Sequence, residues 1–173
     1  MRVMTMLLGG CAAAVLFAAA PAVAQTAKAE LKTPKGASLG TVDLNETPNG
    51  VLLHVRLKGA PAGTHGFHIH AVGKCEGGDF ASAGGHFNPR GHKHGLMTQG
   101  GHHAGDLPNL TVAASGELMA ELVAASVTLK PGEPNSLFDQ DGSAIVLHDK
   151  ADDHKTDPAG DSGPRIACGV VTK

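Results

Sequence analysis

The chain has no Trp, no Tyr and only 5 Phe among 173 residues. Single-stranded nucleic acids are held largely by bases stacked on aromatic rings, so nucleic acid is not an expected partner. Charge is also sparse and balanced, with Lys+Arg 14 against Asp+Glu 16 and a net charge of −2. No polybasic or polyacidic partner follows from that balance. Sustained helical periodicity is missing beyond residue 24, which excludes a helical bundle. What the chain has instead is 11 His, 24 Gly and 10 Pro. Glycine and proline at that density suit short strands joined by turns and long loops.

The start of the chain reads as a leader rather than as fold. Arg2 precedes an apolar stretch, Leu7 to Ala20, followed by Pro21-Ala22-Val23-Ala24. A positive start, a short apolar stretch and small residues at Ala22 and Ala24 form the pattern of a secretory signal cut after Ala24. The stretch is too short and too rich in Ala and Gly for a good membrane span. A second reading is a lipoprotein box at Leu8-Gly9-Gly10-Cys11, which would lipidate Cys11. Cleavage after Ala24 leaves residues 25–173 as one domain with two cysteines, Cys75 and Cys168. In an exported, oxidising compartment an even pair reads as a disulfide, the alternative being two buried thiols.

Eight stretches alternate apolar and polar residues and end in turn residues: 26–33, 38–45, 51–58, 66–70, 109–114, 117–123, 144–148 and 165–172. They predict an all-β sandwich or flattened barrel. Between Val72 and Pro108 the alternation stops. That segment has ten Gly, five His and little aliphatic material. A loop of this length is normally functional, and it needs an anchor other than its own apolar burial. The stretch Ala125 to Gly142 has no clear period either.

The histidines suggest metals. His68 and His70 are two apart on a predicted strand, so both rings point to one side. His148 ends another apolar strand and could add a third nitrogen. The loop adds His86, His94, His103 and Asp106. Three imidazoles and a carboxylate suit tetrahedral zinc, and a flatter set of imidazoles suits copper.

In order along the chain come Gly66-Phe67-His68-Ile69-His70, Gly85-His86-Phe87-Asn88-Pro89, His94-Gly95 and His103-Ala104-Gly105-Asp106-Leu107. His148-Asp149-Lys150-Ala151-Asp152-Asp153 and Gly163-Pro164-Arg165-Ile166-Ala167-Cys168-Gly169 complete the series. Over residues 26–172 this resembles the copper/zinc superoxide dismutases, in particular their bacterial periplasmic branch. The resemblance implies a Greek-key, eight-stranded flattened β-barrel and one copper and one zinc per chain. Copper would be bound by His68, His70, His86 and His148, and zinc by His86, His94, His103 and Asp106. His86 would be shared. Asp152 would join His68 to His94, Arg165 would attract the superoxide anion, and Cys75 and Cys168 would tie the loop base to the last strand. The implied reaction is dismutation of superoxide to dioxygen and hydrogen peroxide, with His86 and Arg165 as catalytic residues. Monomer and homodimer are both open, and no membrane contact is expected after leader cleavage. A non-catalytic copper/zinc chaperone or buffering protein on the same fold, and a His-rich zinc scavenger, are the competing readings. Of the remaining histidines, His65 reads as a structural hydrogen bonder, and His92, His102 and His154 as exposed.

Overall fold

The computed structural model describes residues 25–173. The expected leader, its cleavage point and the lipoprotein box at Cys11 lie outside the described residues. The strands are β1 (Thr26–Lys32), β2 (Ser38–Thr47), β3 (Gly50–Lys58), β4 (Gly63–His65), β5 (Phe67–His70), β6 (Leu110–Val112), β7 (Glu117–Ala124), β8 (Ala144–His148) and β9 (Arg165–Val170). Eight match the expected stretches. The ninth, β4, is three residues long, too short to carry a period, and is defined by its pairing with β6.

Seven strands form one antiparallel sheet in the order β5-β8-β9-β1-β2-β3-β7, with β4 and β6 paired separately. Alternation sets the inward face. Ala27, Ala29 and Leu31 of β1 are buried against Val51, Leu53, Val55 and Leu57 of β3. In β2 the inward residues are Leu39, Val42 and Leu44, a spacing one residue too long at its start. A bulge absorbs the extra residue: Leu31 pairs with Gly40 and Lys32 with Ser38, skipping Leu39. Gly40 has φ +138°, and a Cβ there would lie 2.0 Å from the Arg56 carbonyl oxygen, so the bulge requires glycine.

β8 is buried at every position. Ile145 and Leu147 face the main core, whereas Ala144 and Val146 face outward into a second apolar cluster with Phe80, Ala83 and Cys168. That outer cluster exists because the long loop lies over the outside of the barrel. The loop also runs along the free edge of β5, where Ile69 donates to Gly105 O, Phe87 to Ile69 O and Ala71 to Gly85 O. Phe80, Phe87 and Leu107 are buried under it. The expectation that the loop lacks apolar anchorage is therefore corrected: a few large residues and a strand edge hold it. The Cys75–Cys168 disulfide ties its start to β9.

The stretch 125–142 forms no strand; it folds on itself through a single bridge between Thr128 and Ser136 and is tied to the barrel by Glu46. Glu46 accepts from Thr128 Oγ1 at 2.8 Å and from the Leu129 amide at 2.7 Å, while Leu129 and Leu137 enter the core. Among the described residues no helix is long and apolar enough to cross a membrane.

Candidate metal centre

Phe67 and Ile69 of β5 point into the core, so His68 and His70 point outward beneath the loop. His68 pairs with Val146 and His70 with Ala144, which places both histidines on the outer face of β8 beside His148. Loop bridges bring His86 opposite His70 and Asp106 opposite His68. The result is two buried groups of donors, His68/His70/His86/His148 and His86/His94/His103/Asp106, each with its donor atoms within 4.8 Å of one another. All seven residues expected as ligands are brought together, and His86 belongs to both groups.

One ring nitrogen of each outer histidine is already committed. His68 Nε2–H donates to Asp152 Oδ2 at 2.7 Å, His70 Nδ1–H to Gly84 O at 3.0 Å, and His148 Nδ1–H to Gly163 O at 3.1 Å. Such bonds fix each tautomer and aim the other nitrogen's lone pair inward. In the first group His68 Nδ1 and His86 Nε2 are buried without any hydrogen-bond partner. Buried polar atoms are seldom left bare, and here they converge with His70 Nε2 and His148 Nε2, 3.5 Å apart. An all-imidazole set of this kind fits copper. Burial pushes the pKa of His68 down to about 3 and that of His148 to about 4, and holds His70 well below the usual value. These rings are neutral at neutral pH, which is the form that ligates a metal.

In the second group Asp106 Oδ1 lies 2.8 Å from His86 Nδ1, 3.0 Å from His94 Nδ1 and 3.3 Å from His103 Nδ1. Three nitrogens and one carboxylate oxygen fit zinc. The surroundings call for positive charge: burial lowers the His94 pKa, yet its bonds to Asp106 and Asp152 prevail and raise it to about 9. Asp106 Oδ2 is held by the amides of Gly95 at 2.8 Å and His103 at 3.0 Å, which keeps Oδ1 turned toward the three imidazoles.

Asp152 links the groups, accepting from His68 at Oδ2 and from His94 Nε2–H at Oδ1, 3.0 Å away. Burial raises its pKa, but these two bonds hold the carboxyl far below the ordinary carboxylate range. Two residues behind it escaped the sequence reading. The Asn109 side chain accepts from the Asp152 amide and donates to the Asp152 carbonyl, both at 2.8 Å, and donates to His154 Nε2 at 3.1 Å. Gly160, at φ +63°, lies so close that a Cβ there would sit 1.8 Å from Asp152 Oδ1. Asn109 had no sequence signal; Gly160 had only that of the Asp157-Pro158-Ala159-Gly160 turn.

Arg165 is half-buried beside His148. A register shift between Leu147 and His148 pairs His148 with Arg165 rather than with Ile166. The guanidinium donates from Nη1 to Phe80 O at 2.5 Å and from Nη2 to Gly84 O at 2.6 Å. Its face lines an open cleft with Gly84, Gly85, Gly163 and Pro164.

Four other histidines are structural, and His54 pairs with Glu121 on the outside of the sheet. His65 is buried, with Nδ1 on His148 O at 2.8 Å and Nε2 on Pro61 O at 3.0 Å. His92, His102 and His154 are half-buried rather than exposed. The rings of His92 and His102 bond to the carbonyls of His102 and His103 and so brace the loop, while that of His154 meets Asn109.

A family model described as copper/zinc superoxide dismutase (SODC) matches residues 38–171. The copper-zinc superoxide dismutase 2 of Aquifex aeolicus is 48% identical over 146 residues, 84% of this chain and 85% of the relative. The copper-zinc superoxide dismutase of Caulobacter vibrioides is 46% identical, over 84% of this chain and 85% of the relative. Among solved structures, a SOD-like protein from Bacillus subtilis superposes with a TM-score of 0.80 at 39% identity, covering 83% of this chain and 96% of its own. The copper/zinc enzyme of Brucella abortus gives 0.68 at 29% identity, covering 84% and 99%. A donor set divided between an all-imidazole group and a zinc-type group sharing one histidine, on this barrel and with these relatives, leaves one conclusion: the chain belongs to the copper/zinc superoxide dismutase family.

Proposed function

We propose that the protein dismutates superoxide, with copper held by His68, His70, His86 and His148 and zinc held by His86, His94, His103 and Asp106. The observation that carries this reading is the pair of bare buried nitrogens, His68 Nδ1 and His86 Nε2, converging beside a cationic arginine. When bound, copper supplies a one-electron couple that oxidises one superoxide and reduces the next, while zinc is redox-silent.

The chain's own residues do the rest. Arg165 draws the anion into the cleft, with two of its donor nitrogens engaged by Phe80 O and Gly84 O so that the charge stays in place. His86 has its Nδ1 directed to Asp106 and its Nε2 directed to the outer group, so Nε2 is the atom that carries a proton between the two half-reactions. Two superoxides and two protons give one dioxygen and one hydrogen peroxide; His86 supplies one proton and water the other. Asp152 orients His68 and His94 together, which keeps both groups in register with the shared ring.

A metal-buffering role would need the donors but no cationic cleft, and Arg165 favours the enzyme. We read residues 1–24 as a cleaved secretory leader and the mature protein as periplasmic, a setting consistent with the Cys75–Cys168 disulfide. Metal content and superoxide consumption, measured on one copper- and zinc-loaded sample, test the reading. One copper and one zinc per chain, with activity lost on copper removal, is the expected result. Both metals bound without activity would establish the buffering role instead.

A further inference from the structure

Asp79 lines the same cleft as Arg165, together with Gly84, Gly85, Gly163 and Pro164. It is exposed, and it immediately precedes Phe80, whose carbonyl oxygen holds Arg165 Nη1 at 2.5 Å. Its position is fixed as well, because Asp79 Oδ1 accepts from the Ala81 amide at 3.0 Å at the start of the turn 81–83. An exposed carboxylate therefore lines a cleft whose proposed task is to admit an anion.

We propose that Asp79 is a specificity-determining residue that filters anions by charge, admitting superoxide while rejecting multivalent anions from Arg165. This rests on Arg165 being the group that captures the anion. Coulomb energy is proportional to the charge of the entering ion. An anion of charge −1 meets the repulsion of Asp79 once, and sulfate, with charge −2, meets it twice. Arg165 alone would favour sulfate over superoxide by the same arithmetic and would be blocked by it. With Asp79 in place, the cleft gives up part of its capture rate and gains selectivity for a small monovalent anion. Arg165 does feel this carboxylate: burial lowers the arginine pKa, and Asp79 opposes that effect.

The test compares Asp79→Asn, Asp79→Glu and Arg165→Ala holoenzymes with the parent. Asparagine keeps the Oδ1 acceptor for the Ala81 amide and removes only the charge. At low ionic strength Asp79→Asn is expected to consume superoxide about threefold faster, a gain that disappears in about 1 M salt, where the screening length is near 3 Å. Sulfate affinity, measured by calorimetry on the same protein, should rise by about the square of that factor, roughly ninefold. Asp79→Glu should keep the parent's rate and sulfate affinity. An unchanged rate in Asp79→Asn with full copper and zinc content would overturn the proposal, as would equal gains for both anions. The same gains in Asp79→Glu would overturn it too, by assigning the effect to geometry. If Arg165→Ala neither slows consumption nor weakens sulfate binding, the capture role of Arg165 fails, and the failure lies there rather than with Asp79.

Discussion

His148 and Arg165 face each other across a β-bulge. In the regular register that runs from Ala144↔Val170 to Leu147↔Ala167, His148 would pair with Ile166, and Arg165 would fall on the inward side. The extra residue turns Arg165 to the outer face, where it shares the carbonyl of Gly84 with His70: Arg165 Nη2 donates to it at 2.6 Å and His70 Nδ1 at 3.0 Å. One backbone oxygen thus positions both the guanidinium proposed to capture the anion and a ring of the outer donor group.

Replacing Arg165 should therefore affect rate far more than metal content. Arg165→Ala is expected to slow superoxide consumption about tenfold or more at low ionic strength and to flatten its salt dependence. Stopped-flow kinetics across a salt series, with copper and zinc determined on the same samples, checks this. An unchanged salt slope would remove Arg165 from the capture step.

His86 is the residue common to both donor groups. His86→Ala should abolish most activity and loosen both metals, whereas His92→Ala, at a ring that only braces the loop, should leave metal stoichiometry intact. Competition with a chelator, read separately for copper and zinc, distinguishes the two variants.

Asn109 and Gly160 hold Asp152 from behind. Loss of a partner that orients a metal's ligands typically costs about 10–100-fold in metal affinity. Asn109→Ala and Gly160→Ala should each accelerate zinc loss by about that range, the second because its Cβ would collide with Asp152 Oδ1. Asn109→Gln offers the same amide at a different reach and should rescue little. Zinc dissociation rates, followed with a coloured chelator, measure this.

The Cys75–Cys168 bond closes a loop with a sequence separation of 93. On the chain-entropy model its removal should cost about 4–5 kcal/mol of stability. Denaturant unfolding of the Cys75→Ser/Cys168→Ser double variant gives the figure directly.

Residues 72–108 hold the barrel through β5 and the disulfide, and the proposed metals would add to that hold. Hydrogen exchange should show large protection of residues 86–106 on metal binding and little change in β1 to β3. Equal protection of that loop with and without metal would mean that its backbone bonds to β5 suffice.

The strands that alternate cleanly, such as Val51 to Leu57 of β3, were legible because half-burial of a sheet leaves a period of two. The clustered donor residues were legible because imidazole and carboxylate donors are confined to a few residue types standing in recognisable short motifs. The bulge opposite His148 was not, since a register shift is set by the partner strand. Asn109 was hidden for a related reason: its three hydrogen bonds join residues 43 and 45 positions away. The exposed reading of His92 and His102 failed because a glycine-rich loop can fold back on itself, and that of His154 because Asn109, 45 positions away, meets its ring. Gly101, for example, approaches His92 so closely that a Cβ would lie 2.3 Å from the ring. The buried anchors Phe80, Phe87 and Leu107 are too widely spaced to show a pattern.

The outer donor group draws on three separate stretches of chain: β5, the loop at His86 and the end of β8. Of the four outer donors, only His68 and His70 are neighbours in sequence; His148 reaches them through the pairing of β5 with β8. A strong site therefore exists only after the barrel has closed and the loop has settled on it. Completion of the outer group thus reports completion of the fold, because His148 joins the others only through the pairing of β5 with β8.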